Sequence, residues 1–303
     1  MSVSEVKDHR WRLAALVPAV AAMVVIIVLP ATSASAQDQG SGPVDVLYAG
    51  SLVTLMDNSI GPAFTQATGF TMNGVAAGST ALAAEIQAGT QEADVFISAA
   101  PSPNTPLMTA AGGHWVSWYS TFATSPLVLG YNPDSSFARQ LKIKPWYDVV
   151  TEPGFRLGRT DPATDPKGVL AVQALDQAAR SQDDPALAAV GTASANVYPE
   201  QTMVGELQAG QLDAGFFYTV EASAAGIKTV PLKGIDLQGV YTITVVNRAP
   251  HPAAAEAFVS FLLGRKGRAL LAKSGLVTVR PPELTGSKRA VPATLRSLVS
   301  SKS

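Results

Sequence analysis

Apolar runs and amphipathic segments alternate along the chain after position 43. The apolar runs at 44–48, 70–75 and 93–98 have the length and composition of buried β-strands. Between these runs, apolar side chains recur at helical spacing. They are Leu52, Leu55, Met56, Ile60 and Phe64 in the first intervening segment and Leu82 and Ile86 in the second. The order βαβαβ predicts an α/β fold, in which a mainly parallel sheet is covered by helices on both faces.

Shorter strands and helices are predicted in the second half of the chain. The strands are expected at 155–160, 213–218 and 228–232. The helices are expected at 146–150, 169–180, 186–190 and 201–208, with a long helix at 253–272. This second set of elements is sufficient for another lobe with a sheet of its own.

Two long apolar runs, at 122–131 and 240–246, are interpreted as crossings between two lobes. Residues 44–123 and 240–303 are assigned to lobe 1, and residues 124–239 to lobe 2. Hinges for opening and closing are expected within the crossings, near 124–129 and 241–245.

The amino terminus has the pattern of a secretory signal. Basic residues precede an apolar run at 13–29, and an Ala-Ser-Ala tripeptide at 34–36 matches a signal-peptidase site. Residues 1–36 are therefore predicted to be a signal peptide, with an uncleaved membrane anchor as the alternative. Residues 37–43 are predicted to be a flexible tether. Both alternatives place the rest of the chain outside the cytoplasm.

Composition narrows the function classes. The chain has 303 residues and a net charge of −1, so no basic field indicates a nucleic-acid partner. It contains no cysteine, which excludes disulfides, thiol catalysis and thiolate metal sites. His9, His114 and His251 are scattered along the sequence, and we do not expect them to form a metal cluster.

A Gly-Ser pair follows each of the first two predicted strands. Gly50 permits a tight turn, Ser51 falls at the predicted N-cap of the next helix, and Gly78-Ser79 repeats the arrangement. The free N–H groups at a helix start favour an anion, and the carboxyl ends of parallel strands meet at one edge of the sheet. The alternative is that Ser51 only caps its own helix.

Further motifs extend this pattern. They are Tyr-Ala-Gly-Ser-Leu at 48–52, Ala-Ala-Gly-Ser-Thr at 76–80, Ala-Asp-Val-Phe-Ile-Ser at 93–98, Thr-Asp-Pro-Lys-Gly at 164–168, Glu200 before a helix, and Gly-Gln-Leu-Asp at 210–213 before Phe-Phe-Tyr at 216–218. Together they resemble the extracellular solute-binding proteins of molybdate/tungstate ABC transporters, in particular the archaeal-type tungstate/molybdate binders. The resemblance covers nearly the whole chain after the predicted signal.

The resemblance implies a two-lobed class II periplasmic-binding-protein fold, with two mainly parallel sheets joined by two crossover strands and the ligand in the cleft. It implies that Ser51, Ser79 and Tyr218 donate hydrogen bonds to the oxyanion. It also implies that Asp165 and Glu200 ligate the molybdenum or tungsten atom and convert it from tetrahedral to distorted octahedral. The expected partner is a membrane permease, to which a monomeric receptor without a resident cofactor delivers its ligand.

The two carboxylates need a physical explanation, because each repels a dianion by about 4 kcal/mol per unit pair at ~4 Å and an effective dielectric constant of about 20. A direct carboxylate–metal bond, a protonated ligand such as hydrogen phosphate or a phosphonate, or a cationic or amine ligand would each offset that repulsion. Alternatively, Asp165 only caps a helix that starts near Pro166, and Glu200 only favours a helix start. Tyr218 is then a core aromatic residue. Lys167 stands where the resembling family usually has another residue type.

A secreted hydrolase is the competing function class. Ser51 lies in a strand–turn–helix segment like a nucleophile elbow, but the Gly-x-Ser-x-Gly spacing is absent. Neither His114 nor His251 stands in a context that marks it as a general base. The sequence therefore favours a binding protein that is not an enzyme.

Overall fold

Two connected sheets form the centre of the fold in the computed structural model, which describes residues 40–301. The strands are β1 (Pro43–Ala49), β2 (Thr71–Ala77), β3 (Val95–Ser98), β4 (Trp118–Tyr131), β5 (Leu157–Gly158), β6 (Ala214–Tyr218), β7 (Lys228–Pro231), β8 (Gln238–Val245), β9 (Val277–Gly286) and β10 (Ser300–Ser301). The predicted signal peptide at 1–36 lies outside the described residues. Pro43, predicted as the last residue of the tether, is already the first residue of β1.

Helices cover both sheets. The first helical region consists of a 3₁₀ turn (Gly50–Leu52), α1 (Val53–Leu55), a π-helical stretch (Met56–Ile60) and α2 (Gly61–Thr68). The other helices are α3 (Ser79–Ala88), α4 (Asn104–Leu107), α5 (Ala138–Ile143), α6 (Trp146–Val150), α7 (Pro166–Gln182), α8 (Pro185–Thr192), α9 (Glu200–Gln208), α10 (Thr219–Ala224), α11 (Pro252–Leu263) and α12 (Arg265–Lys273), with 3₁₀ turns at Ser194–Asn196, Lys288–Ala290 and Ala293–Leu295. Within residues 40–301, no helix has both the length and the hydrophobicity that crossing a bilayer requires.

The first sheet joins a parallel core to antiparallel strands. β1 pairs in parallel with β2 and with β3, so that Tyr48 lies opposite Ala76 on one side and Ile97 on the other. β8 runs antiparallel to β3, and β4 and β9 continue the sheet in antiparallel pairs. The βαβαβ pattern therefore predicted the parallel core, whereas the crossing strands add antiparallel pairs because they run in opposite directions and pair with each other.

The second sheet is built on the far end of β4, which has 14 residues and extends from one sheet into the other. Residues 127–131 of this strand pair antiparallel with β6 and with β7, and β5 pairs in parallel with β6. Antiparallel pairs predominate here, in contrast to the mainly parallel sheet that was expected. The predicted hinge segments only partly lie where β4 and β8 pair. Thr124 is opposite Val240 and Tyr241 is opposite Ala123, whereas residues 127–129 pair with β6.

Two features near the carboxyl end differ from the sequence-based prediction. The predicted helix at 253–272 is two helices, because Gly264 has an extended backbone (φ −76°, ψ 179°) that ends α11 and precedes α12. The strand β9 was not predicted, since it contains Pro281 and Pro282. Its ladder with β4 is interrupted between Thr278 and Glu283, so neither proline has to donate a hydrogen bond there.

A buried carboxylate holds the amino ends of β1 and β3 to the start of α11. Asp94 is fully buried and accepts hydrogen bonds from the backbone N–H of Asp45 (2.7 Å) and from the backbone N–H of His251 (2.6 Å). The His251 ring Nδ1 lies 2.9 Å from the same carboxylate. The side chains of Asp45, Asp94 and His251 are close enough together to share a metal ion, but both Asp94 oxygens already accept hydrogen bonds from N–H groups. We therefore interpret this group as a structural anchor.

We expect the contribution of His251 to stability to decrease as pH rises. The hydrogen bond to Asp94 raises the pKa of His251 above its ordinary value of 6.5. The protonated ring therefore stabilises the fold fully below the unfolded-state pKa, and this stabilisation is lost as pH rises through the higher folded-state pKa. The melting temperatures of wild type and His251→Gln should differ more at about pH 5.5 than at about pH 8.5. Equal differences at both pH values would contradict this assignment.

Candidate functional site

The two Gly-Ser turns lie side by side at one edge of the first sheet. β1 and β2 are parallel and in register to their ends, where Ala49 lies opposite Ala77. The 3₁₀ turn at Gly50–Leu52 and helix α3 therefore start next to each other. This placement agrees with the expectation that the turns share the carboxyl edge of the sheet.

Ser51 does not cap its helix, so the predicted N-cap assignment is wrong. The helical turn starts two residues earlier than expected, with Ala49 at the N-cap and no side-chain capping bond. The Ser51 hydroxyl is buried instead, and its Oγ lies 3.0 Å from the Tyr241 Oη. Burial raises the pKa of the Tyr241 phenol well above its ordinary value, so Tyr241 is not a base of the kind that a serine hydrolase requires.

Ser79 is also free of a capping role. Gly78 is the N-cap of α3, and no side-chain capping bond is formed. The fully buried Ser79 hydroxyl oxygen accepts a hydrogen bond from the backbone N–H of Ala99 at 3.0 Å. Because a hydroxyl group can both accept and donate, the Ser79 O–H remains able to donate to a ligand.

Asp165 both caps a helix and retains an unused oxygen. It is the N-cap of α7, with Pro166 in the first turn, and its Oδ1 accepts the backbone N–H of Lys167 at 3.0 Å. Its Oδ2 is buried and has no hydrogen-bond partner among the described residues. The capping alternative is therefore confirmed for one oxygen only.

Glu200 links the two halves of the site. It is the first residue of α9, and its Oε2 accepts the backbone N–H of Gly50 at 3.1 Å, across 150 positions of sequence. Its Oε1 lies 3.4 Å from the Lys167 Nζ, within ion-pair distance, but it is buried and makes no hydrogen bond within residues 40–301. Glu200 thus contacts the first Gly-Ser turn directly.

Two charged residues that were not among the predicted ligands complete the interior of the site: Lys167, noted in the sequence only as an unusual residue, and Glu221, which was not indicated at all. Lys167 is fully buried, and its Nζ donates to both carboxylate oxygens of Glu221, at 2.9 and 2.8 Å. Glu221 lies in the first turn of α10, three positions after Tyr218. Its spacing from Tyr218, at the start of a helix, is the signal that could have identified it.

Two tyrosines lie beside this ion pair. Tyr218, at the end of β6, and Tyr241, in β8, are fully buried, with ring centroids 5.9 Å apart and a 69° interplanar angle. The Tyr218 Oη has no hydrogen-bond partner in the described part of the chain. Burial, and then the neighbouring Tyr241 and Asp165, raise the pKa of Tyr218 well above its ordinary value. Its hydroxyl therefore stays protonated and can donate.

Four ionisable side chains, those of Asp165, Lys167, Glu200 and Glu221, are buried close together in this interior. Burial raises the pKa of Glu200 well above its ordinary value, and the adjacent Asp165 carboxylate raises it further. Burial by itself lowers the pKa of Lys167, but Glu221, Glu200 and Asp165 outweigh that effect and raise it. Lys167 is therefore a permanent cation next to three acidic groups.

A cleft of about 330 Å³ is lined by Asp165 and Glu200. The other predicted ligand residues, Ser51, Ser79 and Tyr218, do not line it. One wall contains Ala77, Gly78 and Ala81, and the other consists of residues from the segments 160–165 and 197–200. The walls are joined by hydrogen bonds from the backbone N–H groups of Thr80 and Ala81 to the Thr164 carbonyl oxygen, each 3.1 Å long. Gly78 lies directly against Thr164 and Asp165, and Gly50 lies against Glu200.

The predicted site residues thus come together from both halves of the chain. A continuous set of contacts leads from Ser51 through Tyr241, Tyr218 and Lys167 to Glu200, which bonds to the turn before Ser51. Ser79 and Asp165 belong to segments that touch each other, because Gly78, the residue before Ser79, lies against Asp165. Whether these residues bind ligand remains a prediction.

The family model of bacterial extracellular solute-binding proteins matches residues 44–277. The chain belongs to this family. An uncharacterized solute-binding protein of Petrotoga mobilis is 27% identical over 286 residues, covering 82% of this chain and 88% of the relative. The molybdate/tungstate-binding protein WtpA of Thermococcus kodakarensis is 23% identical over 238 residues, covering 61% of this chain and 66% of that protein.

Solved structures of binding proteins share the fold. The periplasmic molybdate-binding protein of Azotobacter vinelandii has a TM-score of 0.58 at 19% identity, covering 77% of this chain and 98% of its own. The sulfate-binding protein SubI of Mycobacterium tuberculosis has a TM-score of 0.59 at 18% identity, covering 85% and 90%. These similarities confirm the two-lobed α/β periplasmic-binding-protein fold, and they show the fold alone, since the proteins are named for different oxyanions.

Proposed function

We propose that the protein captures molybdate or tungstate in the cleft and delivers it, outside the cytoplasm, to the membrane permease of an ABC importer. The observation that carries the proposal is a pair of carboxylate oxygens, Asp165 Oδ2 and Glu200 Oε1. Both are buried within the site and accept no hydrogen bond from the described residues. A buried acceptor without a partner is costly, so these two oxygens favour a ligand that supplies an electron-deficient centre.

The metal atom of molybdate or tungstate is such a centre, because it can accept additional oxygen ligands. The oxo groups of the same ligand need donors, and the Ser51, Ser79 and Tyr218 hydroxyls can offer them. The names of relatives give independent support, since WtpA of Thermococcus kodakarensis and the Azotobacter vinelandii protein are named for these oxyanions. We expect the ligand to be held without a resident cofactor.

The same chemistry separates this proposal from sulfate binding. The sulfur of sulfate accepts no further oxygen ligand, so Asp165 and Glu200 would only repel it. Each repulsion amounts to about 4 kcal/mol at ~4 Å and an effective dielectric constant of about 20. The site should therefore favour molybdate and tungstate over sulfate.

One observation supports a second candidate, a cationic or amine ligand. The interior contains Asp165, Glu200 and Glu221 but a single ammonium group, that of Lys167. An excess of buried carboxylates attracts a cation as readily as it ligates a metal centre. The Gly-Ser turns count against this candidate, because the Ser51 and Ser79 hydroxyls can donate to an anion.

Calorimetric titration of the purified protein tests the proposal. Separate titrations use tungstate, molybdate, sulfate, phosphate and spermidine. Tight binding of tungstate or molybdate, with sulfate much weaker, is the expected result. Sulfate binding as tight as tungstate binding would contradict ligation by the carboxylates, and binding of spermidine alone would support the second candidate.

We propose further that the receptor is a monomer that closes by rotation of its lobes. Lobe 1 (44–123 and 240–303) and lobe 2 (124–239) would move about the paired strands β4 and β8, near 124–129 and 241–245. Closure would let donors of the first lobe and carboxylates of the second hold one oxyanion together.

Replacing Tyr218 by Phe should change stability and affinity in opposite directions. The buried Tyr218 Oη has no protein partner within residues 40–301, so its removal should stabilise the ligand-free protein by about 1 kcal/mol. The same change removes a donor to the oxyanion and should weaken binding about tenfold. Thermal melting without ligand and calorimetry with molybdate give the two values. A stability loss together with unchanged affinity would show that Tyr218 is only a core residue.

A further inference from the structure

The Lys167 ammonium group is occupied by carboxylates. An ammonium group has three N–H donors. Two of them are used by Glu221, at 2.9 and 2.8 Å, and the remaining close acceptor is the Glu200 Oε1, at 3.4 Å. The rings of Phe217 and Tyr218 flank the same nitrogen, with centroids 5.6 and 5.9 Å away. The side chain is fully buried, so these groups hold it in place.

Two of the three N–H groups of Lys167 are thus held by Glu221, and at most one is left for a ligand. We therefore expect Lys167 to act on a bound oxyanion mainly through space, by its charge. Glu221 has no free oxygen, unlike Asp165 and Glu200. Both of its carboxylate oxygens accept hydrogen bonds from Lys167, so neither is free to ligate a metal. The pair is thus fixed within the site, and Glu221 contributes no ligand contact.

We propose that Lys167 and Glu221 form a charge-balancing pair in which Lys167 determines the specificity of the cleft for oxyanions. The inference rests on the proposed function, because it concerns the charge that the captured oxyanion meets. Three acidic groups from three helix starts converge here, Asp165 before α7, Glu200 in α9 and Glu221 in α10. Without the ammonium group they would repel an oxyanion; with it, Glu221 is neutralised and Asp165 and Glu200 can act as ligands.

Charge and contact make different predictions for three variants. Lys167→Met adds one net negative charge to the site, and Glu221→Gln removes one. The double variant Lys167→Met/Glu221→Gln has the same net charge as the wild type. If charge decides, Glu221→Gln binds oxyanion at least as tightly as wild type, the double variant binds nearly as tightly, and Lys167→Met binds most weakly.

Calorimetry with molybdate on the full set of proteins tests this order. Lys167→Met should weaken binding by at least about 30-fold, which corresponds to about 2 kcal/mol. The double variant should recover to within about fivefold of wild type. A purely structural role of the pair would instead make Glu221→Gln and the double variant as weak as Lys167→Met, because each breaks the ion pair. Thermal melting of every variant checks that it is folded, and if Lys167→Met does not fold, the other two variants still decide between charge and structure.

The outcomes separate this inference from the proposed function. Wild type that binds neither molybdate nor tungstate overturns the proposed function, and the inference with it. Wild type that binds, together with a double variant as weak as Lys167→Met, overturns the inference alone. Tight binding by Glu221→Gln would then mean that Lys167 contacts the ligand, and weak binding by Glu221→Gln would mean that the ion pair is structural. Unchanged affinity in Lys167→Met also overturns the inference, because the ammonium charge would then have no effect.

Discussion

Replacing Asp165 by Asn is expected to weaken molybdate and tungstate binding by about a hundredfold while making sulfate binding tighter. The two affinities change in opposite directions because the Asp165 carboxylate acts differently on the two kinds of oxyanion. A carboxylate oxygen that ligates the metal contributes on the order of 2–3 kcal/mol, whereas the same charge only repels sulfate. Calorimetric titration of wild type and of Asp165→Asn with molybdate, tungstate and sulfate measures these affinities.

The helix itself should not suffer from this substitution. Asn is as good an N-cap residue as Asp, and its side-chain oxygen can still accept the Lys167 N–H. Asp161→Asn is a matched control, because Asp161 lines the same cleft but its Oδ1 accepts the backbone N–H of Ala163. If Asp165→Asn weakened sulfate and molybdate binding equally, the substitution would be acting through the fold and not through a bond to the metal.

Replacing Gly78 by Ala should nearly abolish oxyanion binding, with a loss of at least about a hundredfold, because it obstructs closure of the cleft. A Cβ at position 78 would lie 2.4 Å from the Thr164 carbonyl oxygen and 3.0 Å from the Asp165 Cβ. The first of these atoms belongs to the backbone and cannot move aside as a flexible side chain would. The lobes would then have to stay apart, and the Thr80 and Ala81 hydrogen bonds to Thr164 would be lost.

Backbone strain does not account for this effect, since Gly78 has φ −59° and ψ 132°, which alanine adopts readily. Gly205→Ala is the control, because a Cβ there meets no atom within 4 Å. Affinity from calorimetry and the radius of gyration from solution scattering are the measurements. Wild-type affinity in Gly78→Ala would mean that ligand capture does not need this close approach.

Local sequence patterns were sufficient for the parallel strands β1, β2 and β3 and for the position of the Gly-Ser turns. The strand ending at Ala49 and the glycine that follows it are neighbours in sequence, so their arrangement depends on short-range preferences. The cap prediction for Ser51 failed by two positions, since helix starts are set by backbone geometry that a serine only tends to mark. That failure matters for function, because it leaves the hydroxyl free of a capping bond.

The remaining features depend on contacts between distant positions. Lys167 and Glu221 are separated by 54 positions, and Ser51 and Tyr241 by 190. No periodicity in the sequence records such pairs, and a buried lysine has the same local signature as an exposed one. The antiparallel pairing of β4 with β8 is equally non-local, because the two strands are far apart in the sequence.

X-ray absorption spectroscopy at the tungsten edge, on the complex of the protein with tungstate in solution, tests the central claim most directly. If Asp165 and Glu200 ligate the metal, the spectrum will show oxygen ligands in addition to those of free tungstate, and Asp165→Asn will lose part of that added shell. A bound ion whose spectrum keeps the tetrahedral oxo shell of free tungstate would contradict the claim.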